Sequence, residues 1–275
     1  MSSGLGDRRI GDAFAAARAH GRAALIPYVV AGYPDADTSF EVAVACIDAG
    51  ADLLEIGLPY SDPLADGVTL QRASGAALRA GATFRGSLDL VARIAAARPA
   101  VPLVPMGYAN QVIGGGDGRA AAAALTNAGA SGVIVADLTP DEGGPFEALA
   151  RAAGLALVYL VAPTTPPERR AWIAGRSQGF VYCVSLVGVT GARSSLPSGV
   201  RRLVADVKAV SPLPVAIGFG VSRPEHVRAL ARAGADGVIV ASALVDALGP
   251  EGRDIGALRG LVERLRAATG DTLPG

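Results

Sequence analysis

Two carboxylates stand where the sequence predicts acid–base chemistry. Glu55 lies in Leu53–Gly57, a segment that is otherwise apolar. An unpaired carboxylate is costly to bury, and burial raises its pKa. We therefore interpret Glu55 either as a general acid–base group or as a glutamate held by an arginine or by backbone donors. Asp66 comes before a predicted helix from Val68 to Ala80, so it either caps that helix or faces a substrate.

Further polar positions follow other apolar segments. Residues 184–197 are small and polar, which is typical of a mobile lid, although a solvated loop without function is the alternative. Tyr182, just before this segment, lies either in the same site as the lid or in the hydrophobic core. Gly218 and Gly220, together with a helix that begins near Ser242, have the pattern of a phosphate site. Acid–base catalysis on a phosphorylated substrate is therefore the favoured chemistry.

Several other chemistries lack the residues they need. Lys208 is the only lysine and lies in a predicted helix, so no lysine is available for a Schiff base. His20 and His226 also lie in predicted helices, away from the ends of strands, which argues against a histidine-based zinc site. Cys46 and Cys183 are far apart in apolar segments and fit buried thiols in a reducing compartment. We expect no metal and no cofactor in this chain.

Length and charge narrow the class of protein. The chain has 275 residues, with 25 basic and 25 acidic side chains, so its formal net charge is zero. A neutral chain without a basic cluster does not favour nucleic acid as a partner. The longest uncharged stretch, residues 99–116, is rich in proline and glycine, which argues against a membrane span. We expect one domain over residues 1–275 and a cytoplasmic location.

Short apolar segments alternate with longer amphipathic ones. The repeat averages about 30 residues, the size of a βαβ unit, and continuous apolar strands are typical of a buried parallel sheet. This pattern predicts an α/β fold, a single (β/α)8 TIM barrel with an extra N-terminal helix over Ile10–Ala19 and a short helix after strand 8; a doubly wound open sheet is the alternative. The predicted strands are Ala24–Val30, Leu53–Gly57, Pro102–Met106, Gly132–Ala136, Leu155–Val161, Gly179–Val184, Val215–Gly218 and Gly237–Ala241.

Three segments are specific enough to indicate a family. They are A-L-I-P-Y-V-V-A-G-Y-P at residues 24–34, L-E-I-G-L-P-Y-S-D-P-L-A-D-G at residues 54–67, and residues 184–197 with V-T-G-A-R. Together with supporting motifs, the sequence resembles the tryptophan synthase alpha chain family from about Asp12 to Ala268. The resemblance implies a retro-aldol cleavage of indole-3-glycerol phosphate to indole and glyceraldehyde 3-phosphate, a step of tryptophan biosynthesis.

The resemblance also implies roles for individual residues. Glu55 would protonate indole C3, and Asp66 would accept a hydrogen bond from the indole N–H. Tyr182 and Thr190 match auxiliary catalytic positions of the family. The substrate-binding positions implied in this way are Tyr28, Ile134 and Leu160 around the indole, and Gly191, Gly218, Phe219, Gly220, Ala241 and Ser242 around the phosphate.

The family further implies a partner. Its alpha chain docks on a beta chain that carries pyridoxal phosphate, in an αββα heterotetramer, and Asp62, Pro63 and Asn110 match positions on the contact face. Ala241 stands where the family usually has glycine, and Val68 and Gln111 stand where proline is common. The alternatives are a free-standing indole-3-glycerol phosphate lyase, a pseudo-enzyme that only activates the beta chain, and an isomerase of a phosphorylated substrate.

Overall fold

Nine parallel strands form the centre of the molecule. The computed structural model describes residues 4–114, 116, 118–184, 198–218 and 220–270. In this part of the chain the strand order is β5-β4-β3-β2-β1-β9-β8-β7-β6. The strands are β1 Ala24–Val30, β2 Leu54–Gly57, β3 Leu103–Gly107, β4 Gly132–Val135, β5 Ala156–Val158, β6 Leu160–Val161, β7 Val181–Val184, β8 Val215–Gly218 and β9 Gly237–Val240.

The two ends of this strand order belong to one stretch of chain. β5 pairs with β4, β6 pairs with β7, and only Tyr159 separates β5 from β6. The sheet is therefore a barrel with eight strand positions, and the predicted strand Leu155–Val161 occupies one of them as two short segments. The TIM-barrel prediction is confirmed, and the doubly wound open sheet was wrong.

Helices alternate with the strands and cover the outside of the barrel. The leading helix and the short helix after the last strand are both present, but the leading helix begins at Leu5 and not at the predicted Ile10. The amphipathic pattern also predicts a helix over Pro145–Ala153, and this start was wrong. The helix begins at Pro140, because Thr139 occupies its N-cap and proline suits the first helical turn. The helices are α1 Leu5–Ala19, α2 Ala36–Asp48, α3 Val68–Arg79, α4 Phe84–Ala97, α5 Ala109–Val112, α6 Arg119–Asn127, α7 Pro140–Ala152, α8 Pro167–Arg176, α9 Ser198–Val210, α10 Pro224–Arg232, α11 Ser242–Ala247 and α12 Ile255–Ala267.

The helix α1 closes the amino-terminal end of the barrel. Its Ile10 and Phe14 are buried. Both side chains pack where strands begin: a Cβ at Gly132 would lie 3.0 Å from Ile10 Cδ1, and a Cβ at Gly237 would lie 2.7 Å from Phe14 Cε1. Because these strand positions are glycine, the helix approaches the barrel closely. The opposite end, where the strands finish, is left to the loops that carry the polar residues.

The described helices give no sign of membrane insertion. Each of them is too short or too polar to serve as a membrane-spanning segment. The amphipathic pattern instead buries one face of each helix against the barrel, as Leu90, Val91 and Ile94 of α4 illustrate.

Candidate active site

A cavity opens at the carboxyl ends of the strands. It contains about 590 Å³ of empty space, including its open mouth. The cavity brings together seven of the predicted site residues: Tyr28, Glu55, Asp66, Tyr182, Gly220, Ala241 and Ser242. The remaining lining residues were not predicted as site residues; they are Gly67, Leu70, Met106, Val221 and Ile239. Met106 was foreseeable, since it ends a predicted strand at the same edge of the sheet.

Glu55 is the buried acid of this cavity. It lies in β2 with only 1% of its surface exposed. Neither carboxyl oxygen has a hydrogen-bond partner among the described residues, so no described arginine or backbone donor holds it. Burial raises the pKa of Glu55 to about 8, and the negative charge of Asp66 contributes to that rise. A carboxyl that stays protonated at neutral pH can donate a proton into the cavity.

Asp66 is the second carboxylate and lies in the loop between β2 and α3. It does not cap the helix, because Gly67 occupies the N-cap and no side chain caps that end. Burial raises the pKa of Asp66 to about 6, and a hydrogen bond with Tyr108 opposes the rise. Asp66 is therefore ionised at neutral pH while Glu55 is not. Two neighbouring carboxylates with different protonation can serve as acceptor and donor.

Two tyrosines complete the polar part of the cavity. Tyr28 in β1 pairs with Glu55 of β2, and a Cβ at Gly57 would overlap the Tyr28 hydroxyl. Tyr182 in β7 approaches β8 so closely that a Cβ at Gly218 would lie 2.5 Å from its hydroxyl. Burial raises the pKa of both phenols well above the ordinary value. Both phenols therefore remain neutral and can donate hydrogen bonds.

The predicted phosphate positions that the structure describes lie at the ends of β8 and β9, and only β1 separates β9 from β2, the strand that leads to Asp66. Gly218 ends β8, Ala241 follows β9, and Ser242 begins α11. Gly220 has a φ of +74°, a conformation that favours glycine and turns backbone amides toward a neighbouring group. Ala241, Ser242 and Gly220 all line the cavity. Thr190, Gly191 and Phe219 lie outside the described residues, as does the predicted lid apart from Val184.

Two predicted indole contacts are not part of this lining. Ile134 in β4 is fully buried, and Leu160 in β6 is half-buried. Both pack in or against the hydrophobic core. Their contact with substrate stays a prediction.

The loop between β2 and α3 also carries the predicted partner face. Asp62 and Asn110 are exposed and Pro63 is half-buried. Asn110, in the adjacent helix α5, donates from Nδ2 to the Tyr60 hydroxyl over 3.1 Å, which holds the loop beside this helix. Leu64 is 93% exposed, so a large apolar side chain stands in solvent next to Asp62. A single exposed leucine is common on protein surfaces, so the docking role of this face stays a prediction.

The lysine and the two histidines are not among the residues that line the cavity. Lys208 is on α9, where its Nζ donates to Gly234 O and Asp236 Oδ1, both over 2.9 Å. His20 follows the end of α1 and His226 lies in α10. Among the described residues, no group of three or more His, Cys, Asp or Glu is placed to hold a metal ion.

The fold and the cavity define a class: a (β/α)8-barrel enzyme with carboxylate acid–base groups at the carboxyl ends of its strands. Comparison with known proteins then gives the family. The model of the tryptophan synthase alpha chain family matches residues 14–268. The chain belongs to the tryptophan synthase alpha chain family, a family of lyases that cleave indole-3-glycerol phosphate.

Individual relatives agree along nearly the whole chain. The tryptophan synthase alpha chain of Gloeobacter violaceus is 46% identical over 277 residues, covering 100% of this chain and 99% of the relative. That of Roseiflexus castenholzii is 47% identical, covering 87% of this chain and 91% of the relative. A solved structure of Mycobacterium tuberculosis tryptophan synthase is 41% identical with a TM-score of 0.87, covering 98% of this chain and 99% of its own.

Proposed function

We propose that Glu55 and Asp66 carry out the family's reaction in this chain. Glu55 donates a proton to C3 of the indole ring and takes the proton from the hydroxyl of the glycerol side chain. The bond between the ring and the side chain breaks, the electrons return to the ring, and indole and glyceraldehyde 3-phosphate form. The observation that carries the proposal is a buried carboxyl with no hydrogen-bond partner among the described residues, facing the same cavity as Asp66.

The ring itself supplies the electron sink. Protonation at C3 places positive charge on the indole nitrogen, and an ionised Asp66 stabilises that charge by accepting the N–H hydrogen bond. Ionised Asp66 and protonated Glu55 coexist between about pH 6 and pH 8. We expect turnover to be greatest in this pH range. The acid and alkaline limbs of the pH profile belong to the coupled pair of carboxyl groups and not to either carboxyl alone.

The remaining predicted residues bind and orient the substrate. Tyr182 supports Glu55 from the strand across the barrel, and Thr190 orients Asp66. Tyr28, Ile134 and Leu160 surround the indole. The phosphate is held by backbone amides and one hydroxyl. The residues that hold it are Gly191, Gly218, Phe219, Gly220, Ala241 and Ser242.

A beta chain is the proposed partner. The face that contains Asp62, Pro63 and Asn110 docks on it in an αββα heterotetramer, and indole passes to the beta chain without release to solvent. Pyridoxal phosphate belongs to the beta chain, and this chain works without a cofactor. Residues 1–275 act as one domain in the reducing cytoplasm, where the buried thiols Cys46 and Cys183 stay free.

The deciding experiment measures indole release from indole-3-glycerol phosphate, with and without a tryptophan synthase beta chain. We expect slow turnover alone, strong activation by the beta chain, and loss of cleavage but not of substrate binding in Glu55→Gln. Fast turnover that a beta chain does not change would favour the free-standing lyase. Appreciable cleavage by Glu55→Gln would refute the role of this residue.

A further inference from the structure

The loop that carries Asp66 contains no helix or strand of its own. This mouth loop, residues 58–67, joins β2 to α3. A segment of this kind is free to move unless side chains from its surroundings hold it. The position of Asp66 in the cavity therefore depends on contacts made by neighbouring elements.

A glutamine holds the beginning of the mouth loop. Gln111 in the short helix α5 donates from Nε2 to the carbonyl oxygen of Pro59 over 2.9 Å. Its other amide atom, Oε1, is buried and has no hydrogen-bond partner among the described residues. A Cβ at Gly107 would lie 2.8 Å from this oxygen, so the glycine leaves the space that the amide occupies. Burying an amide group with only one of its two polar atoms hydrogen-bonded costs free energy. The hydrogen bond to Pro59 is the contact that this buried amide makes with the loop.

A second glutamine holds the end of the loop. Gln71 in the first turn of α3 donates from Nε2 to the carbonyl oxygen of Asp66 itself over 2.9 Å. The amide N–H of Asp66 donates to Pro63 O over 3.0 Å, which closes a tight turn just before the helix. Gln71 is exposed whereas Gln111 is partly buried. Solvent competes for the Gln71 hydrogen bond more than for that of Gln111.

Between these points the loop touches β3 and the residues after it through aromatic rings. Tyr60 stacks on Tyr108 with ring centroids 5.1 Å apart, and the Ala65 N–H donates to the Tyr108 hydroxyl over 3.0 Å. The Ala65 amide immediately precedes Asp66. Its exchange with solvent therefore reports whether the loop keeps its position.

We propose that Gln111 and Gln71 are positioning residues that clamp the two ends of the mouth loop and so set the place of Asp66. This inference rests on the proposed role of Asp66 in cleavage. Neither glutamine lines the cavity, so each acts through the loop and not on the substrate. The partly buried Gln111 clamp contributes more than the exposed Gln71 clamp.

The test replaces each glutamine by leucine, which keeps the approximate size and removes the amide. In the alpha–beta complex, Gln111→Leu should lower kcat about fivefold or more, the scale of one net hydrogen bond, with KM changed less than twofold. Gln71→Leu should show a smaller loss. A loosened loop exposes Asp66 to water, so the acid limb of the pH profile should move to lower pH in Gln111→Leu.

The matched control is Gln178→Leu. Gln178 also uses its amide on a backbone group, accepting from Leu157 N–H over 3.3 Å, but at the amino-terminal side of β5, away from the cavity. This variant should keep the wild-type kcat and pH profile. A general loss of stability would appear in all three variants, whereas a shifted acid limb should appear only in the clamp variants.

Hydrogen exchange of the free chain gives a reading that does not depend on catalysis. The Ala65 amide should exchange at least fivefold faster in Gln111→Leu than in wild type or Gln178→Leu. An unchanged exchange rate together with an unchanged acid limb would overturn the inference. If wild type with a beta chain released no indole, the proposed function would fail, and the exchange rate would still decide whether the glutamines hold the loop. Gln71→Leu, at an exposed position, provides the same readings if Gln111→Leu does not fold.

Discussion

The carboxyl of Glu55 should make the folded protein less stable as the pH rises. Its pKa is 4.5 in an unstructured chain and about 8 in the fold. The unfolded chain therefore releases this proton at lower pH than the folded chain does. The Glu55 contribution to the free energy of unfolding is fully present below pH 4.5 and is lost as the pH rises through 8. An interval of about 3.5 pH units at about 1.4 kcal/mol each gives a loss on the order of 5 kcal/mol.

Glu55→Gln removes this titration and keeps the shape of the side chain. We expect the variant to be similar to wild type near pH 5 and several kcal/mol more stable near pH 8.5, although it should be inactive. The assay is urea unfolding at both pH values, followed by circular dichroism. Contributions from titrating groups that do not interact with Glu55 are common to both proteins and cancel in the difference, whereas the contribution of Asp66 is coupled to Glu55 and belongs to the measured effect.

The control is Glu263→Gln on α12, whose carboxylate is 54% exposed and pairs with Arg259 one turn away. Exposed pairs of this kind contribute little, so this variant should follow the wild-type pH dependence. Parallel pH dependence in wild type and Glu55→Gln would refute the argument that Glu55 is buried without compensation.

Three further variants test other parts of the cavity. Asp66→Asn should lower kcat about 100-fold or more, the scale for losing one charge-stabilising contact. The turnover of the wild type should decrease below about pH 6 as Asp66 becomes protonated. A wild-type turnover that does not change with pH on the acid side would contradict this role. Ser242→Ala should raise KM more than it lowers kcat in steady-state assays if the hydroxyl only holds phosphate. Gly57→Ala should cost roughly 1–3 kcal/mol in thermal unfolding and reduce activity, because its methyl group overlaps the Tyr28 hydroxyl; wild-type behaviour would mean that Tyr28 moves freely.

Much of the fold was predictable because its signals are local. The strand Ala24–Val30 has the predicted bounds. The alanine-rich amphipathic pattern also predicts a helix over Phe84–Ala97, and the structure has it with the same bounds. In the helix, the Thr83 side chain accepts a hydrogen bond from Gly86 N–H, a cap that depends on a few consecutive residues. The start of α7 was missed because two consecutive glycines, Gly143 and Gly144, are typical of the end of a helix and not of its interior. Gly143 lies in the helix because the Tyr159 hydroxyl fills the place of its side chain, and no neighbouring residue reveals that contact.

The site shows the same division between local and distant signals. Glu55 was predictable as a cavity residue because it is a carboxylate near the end of an apolar segment, and Asp66 because it is a carboxylate in the loop that follows. The contribution of Tyr108 was not, since it reaches Asp66 from another loop, 42 positions along the chain, and only the barrel brings them together. The clamp by Gln111 was missed for the same reason. The sequence showed a departure from the family pattern at this position but not the carbonyl that the amide would reach.

The closing of the barrel by α1 has a consequence for how the chain folds while it is synthesised on the ribosome. Phe14 is made more than two hundred residues before Gly237, against which it packs and which belongs to β9. The Phe14 side chain therefore lacks its contact with β9 until Gly237 has emerged from the ribosome. Contacts between such distant residues form slowly, and exposed apolar surface promotes aggregation in the meantime. Destabilising changes in the final strand should accordingly reduce the yield of folded protein as strongly as changes in α1 itself.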